Sequence, residues 1–159
     1  MLKITLITVG KLKEKYFVEA SREYEKRLGA FCNFNVVELE QQKLPSEPSN
    51  AEISAALMKE AEKIKKSIPK GSAVVPLCIE GQEMDSEFLN KKLSSLSQTS
   101  SHLCFIIGGS YGIHPSIKEL ATLKLSMSKM TFPHRLARVM LLEQIYRAFK
   151  IKQGSTYHK

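Results

Sequence analysis

The 159-residue sequence has no tryptophan and only three cysteines, Cys32, Cys78 and Cys104. None forms a C-x-x-C pair and each has an apolar or aromatic neighbour, so neither a disulfide frame nor a metal site is expected. They read as buried thiols. Long apolar runs are also missing: nothing approaches the roughly 18 to 20 residues that span a bilayer. The opening MLKITLITVGK is too short, and too broken by Lys3 and Thr5, for a secretory signal. A cytoplasmic protein without membrane contact is expected. With 43% hydrophobic and 25% charged residues, disorder and collagen-like repeats are excluded, and residues 1–159 are expected to form a single domain.

Acidic residues are scarce in one region. From Lys124 onward Glu143 stands alone against eight cations, a balance of +7, whereas residues 1–123 hold 16 cations and 15 anions. Such a segment favours a phosphate-rich partner, because cations that neutralise phosphates release condensed counterions. A solvated basic helix without a partner is the plainer alternative.

What is present alternates. KITLITVG (3–10) reads as a strand, and Leu12, Tyr16, Ala20, Tyr24 and Leu28 at spacing four read as a helix ending near Gly29. FNVVELE (34–40) is a second strand, followed by the irregular QQKLPSEPSN. Ser49 and Glu52 have capping-box spacing and open a helix with Ile53, Leu57, Ala61, Ile64 and Ile68 on one face. A strand over 73–81, a helix from about Asp85, a strand over 103–109, a short helix after Pro115, a strand at 123–127 and a final helix from Pro133 to about Phe149 complete the series. Five strands alternating with five helices predict an α/β fold, a mainly parallel sheet flanked by helices on both faces.

Ligands of open parallel sheets bind beyond the carboxyl ends of strands. Three loops there carry chemistry: Leu77 to Gly81, IGGSYG (107–112) and SKMTFPH (128–134). If their strands lie side by side, the loops converge on one cleft. Gly108, Gly109 and Gly112 would let backbone approach a ligand, although a turn needed only for chain reversal looks the same. Neither a dinucleotide fingerprint nor a G-K-[ST] phosphate loop is present. Pro76, inside the third strand, marks an edge or an irregular end.

His134 stands at a helix start, where the dipole disfavours its protonated form; it could face a substrate or solvent. Arg135 and Arg138, three apart, have the spacing of a phosphate clamp, while Glu143 and Arg147 most simply pair with each other. The same helix is apolar over too wide a surface for one stripe, which suggests burial by the sheet and by a second subunit. Tyr157 and His158 could be a frayed end or could stack on an unpaired base.

At IGGSYG, SKMTFPH, RVMLLEQIYRAFKI and the ending YHK, and from the opening KITLITVGKLKEKY onward, the chain resembles the RlmH family of SPOUT-class methyltransferases. The resemblance implies a homodimeric α/β fold with a deep trefoil knot, and N3 methylation of a pseudouridine in 23S rRNA on the assembled ribosome. It implies that S-adenosyl-L-methionine is held by Leu77, Gly108, Met127, Ser128, Lys129, Met130, Thr131 and Phe132, with no metal. Tyr111 and Met127 depart conservatively from the family pattern. The N3–H is about as acidic as a phenol, pKa roughly 9 to 10, so a base or an electropositive pocket must favour its anion. His134, His158 and Tyr157 are the candidates for base or base-orienting group, with Arg135 and Arg138 near phosphate or carbonyl oxygens. The alternatives are a non-enzymatic, ribosome-associated RNA-binding protein and a nucleotide hydrolase; the second lacks an acidic metal cluster near Gly108.

Overall fold

The computed structural model describes residues 1–158; Lys159, one of the eight cations counted above, lies outside them. In chain order the elements are β1 (Lys3–Val9), α1 (Lys15–Leu28), β2 (Asn33–Leu39), α2 (Asn50–Ser67), β3 (Ala73–Glu83), α3 (Ser86–Thr99), β4 (His102–Ile107), α4 (Pro115–Lys118), β5 (Leu125–Ser126) and α5 (His134–Lys152). All strand pairings are parallel, in the order β2-β1-β4-β3-β5.

Period-two alternation divides the core. Leu103, Phe105 and Ile107 of β4 join Ile4, Leu6, Leu141, Leu142 and Ile145 on the face covered by α1, α3 and α5. Cys104 and Ile106 join Ile7, Val9, Ala61, Ile64 and Ile117 on the opposite face, under α2 and α4. A central parallel strand must be apolar on both sides, which is why HLCFII reads as a continuous run. Each such side chain contributes about 1.5–3 kcal/mol by leaving water.

The expected strands and helices are present, with instructive differences. The helix start at Ser49 carries both reciprocal bonds of its capping box, Glu52 N–H to Ser49 Oγ and Ser49 N–H to Glu52 Oε1, each 3.1 Å. The expected stripe on α1 holds at Leu28, which is buried, and fails at Tyr16, which is 66% exposed because it borders the open cleft described below; Ser21, outside the stripe, is buried as well. The strand expected at 123–127 shortens to Leu125–Ser126, since the amides of Thr122 and Leu123 turn to the Val74 carbonyl. Pro76 stands where β3 ceases to pair with β4, and from Leu77 it pairs with β5. Only two cysteines are buried, Cys32 and Cys104, whose thiols burial pushes up to about 11 and about 12; Cys78 is half-buried because it faces an open cleft.

Between Leu77 and Gln82 the register of β3 against β5 shifts, so that Leu125 faces both of them. Gln82 N–H donates to the Lys124 carbonyl at 2.8 Å, and a Cβ on Gly81 would lie 2.8 Å from the Leu125 carbonyl carbon. Glycine is required there by close backbone approach. No helix among the described residues is long and apolar enough to cross a membrane.

Candidate functional site

Because β4, β3 and β5 are neighbours, the three loops singled out above do converge. Beyond their carboxyl ends lies an open cleft of about 1180 Å³. Its floor and one wall are Leu77 to Glu80 and Ile107 to Ile113; the facing wall is Ser126 to Ser128 and Met130 to Ala137. Among the expected cofactor residues, Leu77, Gly108, Met127, Ser128, Met130, Thr131 and Phe132 line it. Lys129 does not; it is exposed beside the wall.

The glycine turn is built for its own closure. Gly109 and Gly112 bridge each other, Gly112 N–H donates to the Gly109 carbonyl at 3.1 Å, and Gly112 has a φ of +82°. A Cβ on Gly108 would fall 2.3 Å from the Gly112 oxygen. The opposite wall is shaped by Ser128, whose Oγ accepts the Met130 N–H and whose carbonyl accepts the Ser126 hydroxyl, both at 3.0 Å.

The first turn of α5 opens directly into the cleft. Its N-cap is Pro133, which offers no side-chain cap, so the leading N–H groups and the positive end of the helix dipole remain free for an anionic group. His134 lies here, and burial first, then the Arg135 charge, hold its imidazole below the ordinary value of 6.5, against a smaller opposing pull from Glu14. Arg135 pairs with Glu14, which hydrogen bonding to its own backbone and to Arg135 holds below the ordinary carboxylate range. Glu14 Oε2 and Arg135 Nε are buried without a hydrogen-bond partner, as is Arg138 Nε. Glu80 and Lys118 pair across the rim.

Several expected site residues are elsewhere. Arg138 does not form a phosphate clamp with Arg135: it is buried, donating to Glu38 Oε2 at 2.8 Å with Glu25 3.9 Å away, and so ties α5 to β2 and α1. Three arginines of the basic segment are thus matched by carboxylates within the chain, leaving four lysines among the described residues: Lys124, Lys129 and Lys152, which are exposed, and Lys150, half-buried over the Phe31 ring. Tyr157 and His158 do not line this cleft. They dock on the far end of α5, where Tyr157 O–H donates to Glu143 Oε1 at 3.2 Å and Arg147 lies over the Tyr157 ring. Arg147 Nη1 is 3.2 Å from His158 Nδ1. Guanidinium has no acceptor, so Nδ1 must accept and the His158 proton sits on Nε2, towards Glu87. Burial and the Glu143 charge push the Tyr157 phenol up, making it a donor and not a base.

Sequence reasoning gave Glu143 and Arg147 as a pair; they do pair, and the pair also anchors the tail. It missed Glu14, Tyr16 and Phe17, which line the cleft from the start of α1. β1 borders β4, so its following loop belongs to the same rim; only the strand order reveals this.

A family model described as "Predicted SPOUT methyltransferase" matches residues 2–158. The "Ribosomal RNA large subunit methyltransferase H" of Bifidobacterium adolescentis is 50% identical, covering 99% of this chain and 100% of that one. That of Leuconostoc mesenteroides subsp. mesenteroides is 47% identical over the same shares. Among solved structures, the tRNA (m1G37) methyltransferase from Aquifex aeolicus superposes with a TM-score of 0.53 at 11% identity, covering 92% of this chain and 69% of that one, a likeness of fold alone.

Proposed function

The chain belongs to the SPOUT methyltransferase family, and from that premise we propose that it methylates large-subunit ribosomal RNA at N3 of a pseudouridine, with S-adenosyl-L-methionine in the cleft. The observation that carries this reading is the convergence of three strand-end loops on one open cleft closed by an uncapped helix start. The donor set fits the cofactor: Leu77, Ile107, Met127 and Phe132 offer apolar walls, the 108–112 turn offers backbone, and the α5 N-terminus suits a carboxylate. Bound there, S-adenosylmethionine supplies a methyl group made electrophilic by its sulfonium.

The chain must then orient the nucleobase and remove the N3 proton. His134, kept neutral by burial beside Arg135, is the cleft group that can accept it, while the Arg135 guanidinium favours the imide anion. The pH dependence follows. As the base, His134 acts only when unprotonated, and burial lowers its value, so turnover falls on the acid side at a pH below that at which an ordinary imidazole would give the limb. In Arg135→Gln the lost cation lets the imidazole value rise, so the acid limb moves to higher pH; a limb that stays put in rate profiles means another group is the base.

Exposed Tyr16, Ile79, Tyr111 and Met130 give the cleft mouth an apolar margin that suits a second copy of the chain, and the partner's Tyr157 and His158 are then free to present the base. The register shift of β3 against β5 between Leu77 and Gln82 is consistent with the implied trefoil knot. A variant shown by sedimentation to be monomeric is expected to lose at least about 100-fold in turnover; wild-type rates would exclude a composite site. The central test is incubation with ribosomes lacking the modification and S-adenosylmethionine, followed by mass mapping of the 23S rRNA. One added methyl on a pseudouridine is expected. Donor binding with no methyl transferred to RNA would overturn the reading, and no donor binding would favour the non-enzymatic RNA-binding protein.

A further inference from the structure

Glu60 is the one buried carboxylate among the described residues, at 6% exposure, and nothing above uses it. It projects from α2, and its Oε2 accepts the Gln42 N–H at 3.0 Å. Among the described residues this is the one hydrogen bond that ties 41–48, the irregular connection from β2 to α2, to the rest of the protein. A buried carboxylate is costly unless it is hydrogen-bonded, so its placement fixes that one point of the connection firmly.

The neighbouring residue is Gln41, whose carboxamide lies where β1 and β4 end. The connections of these adjacent strands leave in opposite directions, β1 towards β2 and β4 towards β5, which makes a crevice between Gly10 and Gly109. A Cβ on Gly109 would stand 3.1 Å from Gln41 Nε2, and one on Gly10 would stand 3.7 Å from Gln41 Oε1 and 3.6 Å from His134 Nε2. The carboxamide therefore rests on the outer side of the glycine turn and flanks Gly10 together with His134.

We propose that Glu60 is a positioning residue: by holding the Gln42 amide it seats Gln41 against Gly109, and so keeps the 108–112 turn and His134 in the arrangement the cleft requires. The idea rests on the reading of that cleft as the methyl-donor site. Gln41 and Glu60 touch no substrate in this scheme; they act through the turn.

The test uses the full-length protein and three variants, Gln41→Ala, Glu60→Ala and Glu60→Gln. S-adenosylmethionine binding is measured by titration calorimetry, kcat and KM on ribosomes, and amide hydrogen exchange over 108–112 without donor. Glu60→Ala, which loses one buried hydrogen bond, and Gln41→Ala, which loses the packing of the carboxamide against Gly109, are expected to bind the donor about tenfold more weakly. The change should appear in the KM for the donor more than in kcat, with faster exchange across the turn. Glu60→Gln keeps an oxygen that can accept the Gln42 N–H and should restore binding to within about twofold. If Gln41→Ala and Glu60→Ala bind as wild type does, even with a lowered melting temperature, Glu60 merely secures a loop and the proposal is overturned. Should Glu60→Ala fail to fold, Gln41→Ala, an exposed position, decides alone. Absence of donor binding by the wild type would count against the cleft assignment, and turn exchange in the donor-free variants would still decide for or against the positioning role of Glu60.

Discussion

Gly108→Ala is expected to weaken S-adenosylmethionine binding by about 100-fold, because the added methyl has nowhere to go. Its Cβ would fall 2.3 Å from the Gly112 oxygen, 2.6 Å from the Gly112 carbonyl carbon and 2.8 Å from Ile113 Cγ1. Two of these atoms are backbone on the returning arm of the turn, so relief requires the turn to open. Overpacking of this kind costs about 1–3 kcal/mol, and here the distortion falls on the cleft wall itself. Gly109→Ala makes the useful contrast, since the atoms nearest its Cβ would belong to the side chains of Gln41, at 3.1 Å, and Val9, at 3.7 Å, and not to backbone. A smaller loss is expected there, and RNA association should survive in both variants. Calorimetric titration measures the effect; donor binding by Gly108→Ala within about threefold of wild type would mean that the turn is no part of the cofactor site. The contact also gives the chemical reason for the residue: glycine at 108 is needed for the turn to close on itself.

Glu143→Ala is expected to lower turnover on ribosomes by about 100-fold, the scale of a misplaced reacting group, while leaving donor affinity unchanged. One carboxylate holds Arg147 through Oε1 at 2.7 Å and receives the Tyr157 hydroxyl, and Arg147 in turn holds His158. Without it, Tyr157 and His158 lose their common anchor, and ordering the tail must be repeated each time a nucleobase is bound. None of these four residues lines the cleft of its own chain, so calorimetry with the donor should not register the change. Glu143→Gln, which keeps an oxygen for the Tyr157 hydroxyl, should fall between. Turnover by Glu143→Ala within about threefold of wild type would remove the tail from the mechanism.

Much of this was legible before any coordinates. The alternation of apolar periods fixed the count and order of elements, because a strand of period two and a helix of period near 3.6 bury different residue patterns. The glycine turn and the 128–134 segment were likewise recognisable as strand-end loops of a parallel sheet. What the sequence leaves illegible has one physical origin. Arg135 and Arg138 look alike on a helix at spacing three, yet one faces the cleft and the other is buried against Glu38, a residue 100 positions away. Glu143 and Arg147 satisfy the local i, i+4 rule, and nothing local indicates that the tail returns to them.

Local interactions and hydrophobic periodicity are encoded in neighbouring residues, so the sequence by itself determined the α/β alternation, the capped start of α2, the apolar central strand and the three loops able to carry a ligand. The tertiary structure alone decided the strand order, and with it which loops share a rim, which cations are already neutralised and how the Tyr157–His158 tail is held. Those outcomes depend on pairs distant along the chain, whose meeting is set by how the sheet and its covering helices pack.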